Sequence, residues 1–207
     1  MDKHQFDVWS ANYDEIVKKG AEGYPFEGYE KAIQAIYYLI QNCSNIEILD
    51  LGVGTGNLTQ KFYLNGARIT GVDFSKKMLM QAKQKMPDAT LIEYDLNESI
   101  PFVLQNVKFQ YILSAYTFHH WKDRQKLDLI QQCIDLLAPN GKILIADIMF
   151  FDLYDRECCK KQYRNSWDDE EFYILADEFV RKLRSIGLDV KFYPISFCCG
   201  VLDITVR

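Results

Sequence analysis

The chain has 207 residues, 48% apolar and 26% charged, with 24 basic against 29 acidic side chains and a net charge of -5. A chain of this length can bury about 70% of its unfolded surface in one core, its composition excludes disorder, collagen and coiled coil as whole-chain descriptions, and the acidic surplus argues against nucleic acid as a partner. The apolar runs fall short of the ~20 residues that span a bilayer, and the opening Met1-Asp2-Lys3-His4-Gln5-Phe6 has no apolar signal region, so a cytoplasmic chain without a membrane partner is expected.

Residues 1–44 read as an N-terminal helical cover, interrupted over 21–28 by a glycine-rich loop with Tyr24, Pro25 and Phe26. Residues 45–51, an apolar run ending at Gly52, predict a strand buried on both faces. A helix is expected over 57–64 and a second strand over 67–73. Ser75 caps a helix that runs to about 85, with Pro87 just beyond. Residues 90–94 and 109–115 supply the third and fourth strands. A helix over 124–137 stops at Pro139-Asn140-Gly141, a strong turn signal, and 142–148 is the fifth strand. Strands separated by helices imply parallel pairing with right-handed crossovers, hence a doubly wound α/β sheet with helices on both faces.

The C-terminal part has a different pattern. Ser166 and Asp169, three apart, predict the start of a helix carrying Leu175, Phe179, Leu183 and Ile186 at helical spacing. Two β-rich runs, 190–197 and 201–206, flank Cys198-Cys199-Gly200 with no room for a helix, and so predict an antiparallel hairpin at the sheet edge. No repeat, low-complexity tract or linker divides the sequence, which reads as one domain. The six cysteines, at 43, 133, 158, 159, 198 and 199, make no C-x-x-C and no zinc spacing with the three histidines. Free thiols and no metal are expected; redox or metal chemistry at the adjacent pairs is the alternative.

The most informative stretch is Asp50-Leu51-Gly52-Val53-Gly54-Thr55-Gly56-Asn57, where a strand leads through three alternate glycines into a helix. Glycine is required where the backbone takes φ > 0 or must touch a ligand, and a ligand lying on this turn also meets a helix N-terminus. The spacing is not the G-x-G-x-x-G of dinucleotide folds. From Gly52 the third glycine would fall at Asn57, and from Gly54 at Thr59, so a nicotinamide oxidoreductase is disfavoured. Asp73 closes the second strand, where a carboxylate can accept from both hydroxyls of a ribose. Asp95 follows the third, where it can accept from the exocyclic amine of an adenine. Either residue alone is more often a helix cap or a solvated turn residue. Together with the glycine loop they stand at successive strand ends, where open parallel sheets collect ligands.

These residues resemble a known family, the class I S-adenosylmethionine-dependent methyltransferases. The resemblance rests on Ile48-Leu49-Asp50-Leu51-Gly52-Val53-Gly54-Thr55-Gly56, on Gly71-Val72-Asp73-Phe74-Ser75, on Asp95-Leu96 and on Ser114-Ala115-Tyr116-Thr117-Phe118-His119-His120-Trp121. Leu136-Leu137-Ala138-Pro139-Asn140-Gly141 leads into the fifth strand as in that family. Within the family the chain is similar to small bacterial methyltransferases of unassigned substrate, which share an opening like Phe6-Asp7-x-Trp9-x-x-x-Tyr13-Asp14. The resemblance implies a seven-stranded Rossmann-like sheet of order 3-2-1-4-5-7-6 with the last strand antiparallel. It divides the chain into an N-terminal cover (1–44), a cofactor-binding core (45–148), a substrate lid (149–167) and a final helix and hairpin (168–207).

The resemblance also implies roles. The backbone around Gly52, Gly54 and Gly56 would hold the methionine part of S-adenosylmethionine, and Asp50 would assist its amino group. Asp73 would bind the ribose, Phe74 would stack beside the adenine, and Asp95 with the Leu96 backbone would recognise it. Ser114 would lie beneath the sulfonium. Tyr13 would cover the site, its alternative being a buried aromatic staple. His119, His120 and Tyr116 follow the fourth strand, where a base could act on the acceptor; a packing or loop-orienting role is the alternative for each. The nucleic-acid amino-methyltransferase motif Asp/Asn-Pro-Pro-Tyr is absent from this position. The expected activity is therefore methyl transfer to a small-molecule acceptor by a monomer or homodimer, with S-adenosylhomocysteine as product. A non-catalytic cofactor-binding module on the same fold is the alternative.

Overall fold

The computed structural model describes residues 23–40 and 42–207. Every strand expected from an apolar run is present, and all join one sheet. β1 (Glu47–Leu51), β2 (Arg68–Asp73), β3 (Thr90–Glu93), β4 (Phe109–Ala115) and β5 (Leu137–Phe150) pair in parallel. A two-residue strand, β6 (Ile174–Leu175), pairs in parallel with the end of β5. β7 (Leu188–Pro194) and β8 (Cys199–Val206) form the antiparallel hairpin, with β8 inserted beside β5. The order is β3-β2-β1-β4-β5-β8-β7. With the short β6 left out of the count, this is the expected 3-2-1-4-5-7-6.

The central strands are apolar along their length because helices cover both faces, and the period-two alternation of a strand sends neighbouring side chains to opposite cores. Ile48, Leu113, Leu144 and Ala146 pack on one face. There they meet Ala32, Ile33 and Ile36 of α1 (Tyr29–Leu39), Phe62 of α2 (Gln60–Leu64) and Leu79 and Ala82 of α3 (Lys76–Lys85). Leu49, Leu51, Ile112, Ile143 and Ile145 pack on the other. Their partners are Leu129, Ile130 and Cys133 of α4 (Asp123–Ile134) and Phe179, Val180 and Leu183 of α6 (Ala176–Ser185).

Several boundaries differ from those expected: α4 ends at Ile134 and β5 already starts at Leu137, and the hairpin turns over 195–198, with Cys199 and Gly200 inside β8. The helix expected over 57–64 begins only at Gln60, because the left-handed glycines keep the preceding residues in turns. Ser166 and Asp169 open no helix. Residues 174–175 instead pair with Met149 and Phe150, and α6 starts at Ala176 with Leu175 as its N-cap. Phe179 and Leu183 are buried as expected, whereas Leu175 precedes the helix and Ile186 follows it, half exposed. The pairing that displaces the helix start is long-range, and local periodicity carries no trace of it. Pro139-Asn140-Gly141 lies within β5 as a bulge, with Asn140 at φ +61° and a register shift against β4. Residues 149–167, expected as a lid, contain α5 (Leu153–Gln162), whose N-cap Asp152 accepts from the Asp155 N–H at 2.9 Å.

Candidate active site

The carboxyl ends of β1, β2 and β4 converge on one cleft. Gly52, Gly54 and Gly56 all take left-handed backbone, at φ +74°, +51° and +82°. Two of these glycines have distinct reasons. A Cβ on Gly52 would stand 2.3 Å from Thr117 Oγ1, so the loop after β4 requires its absence. A Cβ on Gly54 would meet nothing within 4 Å, because that residue borders the cleft. There the missing side chain leaves backbone open to a ligand.

Asp73 ties this loop to the next strand. Its Oδ2 accepts from the Gly54 N–H at 2.9 Å and its Oδ1 from the Ser75 N–H at 2.8 Å. Ser75 in turn caps α3, accepting from the Met78 N–H at 3.2 Å. Asp73 therefore serves both readings of a strand-end acid. It fixes the turn, and it lines the cleft with the second lone pairs of its oxygens. Asp50, 1% exposed, accepts from the Thr59 hydroxyl at 3.0 Å. Burial pushes its carboxyl up to about 7. The Thr59 bond opposes the rise and the neighbouring charge of Asp73 adds to it. Burial also raises Asp73, against the pull of the Ser75, Gly54 and Phe74 N–H groups. The cleft thus presents two carboxyls that are costly to ionise without a cation beside them.

Asp50, Gly52, Gly54, Asp73, Phe74, Tyr116 and His120 all line this cleft. Tyr29, which no motif marked, joins them from α1. Gly56 shapes the loop from behind. Ser114, 1% exposed, lies beneath it and donates to the Leu51 carbonyl at 2.7 Å, joining β4 to β1. Asp95 is exposed and accepts from the Asn97 N–H at 2.9 Å, a turn role, while the Leu96 side chain is buried in the core. Tyr13 lies outside the described residues. The cleft has about 70 Å³ of free volume. Pockets that hold a small molecule run to roughly 300 Å³ and more.

The three residues considered as bases differ sharply. Tyr116, at φ +52°, packs its ring 4.8 Å from that of Tyr29 and donates to Cys199 Sγ at 3.3 Å. Burial holds its phenol well above the usual range, so it stays protonated. His119 is buried outside the cleft. Its Nδ1 lies 2.6 Å from Asp147 Oδ1 and its Nε2 3.5 Å from Glu171 Oε1. Burial disfavours its imidazolium, but the charge and hydrogen bond of Asp147 and the charge of Glu171 outweigh that and raise its pKa. The same pairing lowers Asp147 against the effect of burial. His120 faces the cleft with its ring 4.1 Å from that of His119. Burial and the adjacent His119 push it down to about 3, so it is neutral and a weak base.

Asp147 and Glu171 were missed by the sequence reading. Asp147 had a visible signal, since it is the sole charged residue in the apolar run 143–150. Glu171 had none; it ends a run of four acidic residues, and long-range bonds such as that from the Phe172 N–H to the His119 carbonyl, 2.7 Å, bring it to the site. Glu171 also borders a second cavity of about 420 Å³. Its other walls include Lys122, Phe172 and, from the segment expected as a lid, Arg156, Lys160 and Trp167.

Comparison with known proteins agrees with this geometry. The family described as methyltransferase domain matches residues 48–141, from β1 to the bulge in β5. An uncharacterized methyltransferase of Bacillus thuringiensis (strain Al Hakam) is 36% identical, covering 97% of this chain and 95% of its own. One from Alkaliphilus oremlandii is 33% identical, over 90% and 87%. Among solved structures, magnesium protoporphyrin IX methyltransferase (ChlM) from Synechocystis PCC 6803 with bound SAH superposes at a TM-score of 0.74, with 17% identity and all of both chains covered. DhpI in its complex with SAM and HEP superposes at 0.73, with 15% identity over 98% of this chain and 94% of that one. With 33–36% identity to bacterial methyltransferases over nearly its whole length, and with the sheet order and glycine loop in place, the chain belongs to the class I S-adenosylmethionine-dependent methyltransferases.

Proposed function

We propose that this protein transfers a methyl group from S-adenosylmethionine to a small-molecule acceptor, with the cofactor in the cleft at the ends of β1 and β2. The observation that carries the reading is the Gly54–Asp73 clamp beside buried Asp50: open backbone and two carboxyls face one cleft. A ligand bearing an ammonium and a sulfonium would remove the cost of ionising them. By this reading Asp73 holds the ribose, Asp50 assists the amino group, the loop from Gly52 to Gly56 lies along the methionine part and Phe74 flanks the adenine. On the same reading the adenine would reach toward Asp95 and the Leu96 backbone, just beyond β3, which do not line the cleft, and Ser114 would support the floor under the sulfonium.

Bound there, the cofactor supplies a methyl group already activated by positive sulfur. The protein's task is alignment and exclusion of water. In that methyl transfer, the acceptor lone pair would take the methyl carbon and sulfur would keep the electron pair of the broken bond. An acceptor proton, where there is one, must leave. Tyr116 is not suited to take it, and His120 is a poor base by its pKa. His119 lies outside the cleft with Asp147 on one ring nitrogen and Glu171 on the other, so none of the three is assigned that proton. We assign the 420 Å³ cavity to the acceptor, since it falls in the size range of small-molecule pockets. Trp167 and Phe172 offer apolar surface, and Lys122, Arg156 and Lys160 favour an anionic or amphipathic acceptor.

The test is release of S-adenosylhomocysteine from the full chain with a panel of small amines, hydroxy acids, thiols and phosphorylated or aromatic acids. Turnover with one class supports the proposal. Tight cofactor binding without turnover on any of them would favour a non-catalytic binding module instead.

A further inference from the structure

We infer that His119, His120 and Glu171 form a binding site for one divalent transition-metal ion, at the boundary between the cofactor cleft and the larger cavity. One ligand atom from each residue, two imidazole nitrogens and a carboxylate oxygen, lies within 4.8 Å of the other two. His119 Nε2 and Glu171 Oε1 are 3.5 Å apart. Three donors bound at ~2.0–2.2 Å around one ion stand roughly 3–3.5 Å from each other, so small side-chain rotations close the set. Two imidazoles and one carboxylate suit zinc, cobalt or ferrous iron, and not the all-oxygen shells of magnesium or calcium.

The surroundings are built as a ligand support. A metal-bound histidine characteristically gives its other ring N–H to a carboxylate, which fixes tautomer and ring orientation. Asp147, fully buried, holds this position 2.6 Å from His119 Nδ1, which leaves Nε2 directed at Glu171. Asp147 is itself anchored by the N–H groups of His119 at 3.2 Å and Ile148 at 2.7 Å. Glu171 is held near by the Phe172–His119 backbone bond, and buried Lys126 ties the same segment to α4 by donating to the carbonyls of Trp121 and Phe172. Asp147 and Glu171 bring two negative charges and Lys126 one positive, so a divalent ion is not repelled by the local balance. His120 lines the cofactor cleft and Glu171 the larger cavity. An ion held there would sit between a residue of the cofactor cleft and a residue of the larger cavity, where it could take an oxygen or nitrogen of the acceptor. That last role rests on the proposed function; the binding of the ion does not.

The competing arrangement is a metal-free triad in which a proton on His119 links Asp147 and Glu171. The experiment strips the full chain with a chelator and titrates it with Co²⁺, followed by its ligand-field absorption, and with Zn²⁺, followed by calorimetry. One equivalent is expected to bind. Glu171→Gln and His120→Ala should each weaken binding at least tenfold, and Asp147→Asn about 10–100-fold. Cys158→Ser, at an exposed thiol that is not one of the three ligands, should leave it unchanged. Circular dichroism of each metal-free variant checks that it folds, and Glu171→Gln, nearly isosteric, keeps the test open should His120→Ala fail to fold. No stoichiometric binding, or binding indifferent to Glu171→Gln, overturns the inference. Cofactor affinity measured on the same metal-free protein separates the two proposals: cofactor binding without metal binding refutes only this one, and metal binding without cofactor binding refutes only the other.

Discussion

Asp50 offers the sharpest prediction, because its position conflicts with the stability of the protein alone. Its carboxyl has an ordinary pKa of 3.8, and burial to 1% exposure carries it to about 7. The gap of about 3 units, at ~1.4 kcal/mol each, amounts to about 4 kcal/mol for holding Asp50 ionised in the folded protein. The folded pKa is the higher one, so folding takes up a proton between those limits. Asp50 costs nothing below pH 3.8, where it is protonated folded and unfolded, and the full penalty applies once the pH has passed 7. Asp50→Asn keeps the shape and the acceptor for the Thr59 hydroxyl but cannot ionise. In the absence of cofactor it should be more stable than the parent at pH 8, by about 2–4 kcal/mol, and the gain should vanish towards pH 4. Urea unfolding of both proteins across this range reads the difference directly. The same variant should bind S-adenosylmethionine more weakly. The parent, half protonated near pH 7, should release about half a proton on binding, seen by calorimetry in buffers of different ionisation enthalpy. A variant no more stable than the parent at pH 8, or a difference that does not change with pH, would refute the reasoning.

Three further outcomes follow from the geometry. Asp73→Asn should lower cofactor affinity at least tenfold in calorimetry, since it removes a charged acceptor, an interaction worth about 1.5–3 kcal/mol. Gly52→Ala should cost more stability in thermal unfolding than Gly54→Ala. Both carry the left-handed strain of ~1–2 kcal/mol, but only the former drives a Cβ against Thr117, while the latter should act on cofactor affinity. Phe179→Ala, at a side chain 1% exposed in the core under α4 and α6, should cost about 3–5 kcal/mol in denaturant unfolding. It should leave cofactor affinity of the folded fraction unchanged.

The strands were legible because their apolar runs are continuous, and a run such as 48–51 is buried for the same reason wherever the sheet is covered on both faces. Gly52, Gly54 and Asp73 could be read as one candidate cleft because the glycine loop and the acid stand together at successive strand ends, although either acid alone reads as a cap or turn. The hairpin could be read because two β-rich runs leave no room for a helix between them. The start of α6 could not. Ser166 and Asp169 look like a capping box, but the chain spends 174–175 on β5, and a backbone pairing over 25 residues leaves no local mark. For the same reason His119 and His120 looked alike in sequence. One is locked between Asp147 and Glu171, and the other borders the cleft.

Local sequence thus determined the fold class, the order of elements and the glycine loop, since each depends on periodicity, backbone freedom and turn chemistry within a few residues. The tertiary structure decided what the polar residues face. It set Asp50 and Asp73 side by side in low dielectric, turned Asp95 outward, and brought Glu171 to His119 across 52 positions of chain. Burial and charge proximity govern those groups, and both are properties of the packed molecule rather than of any segment.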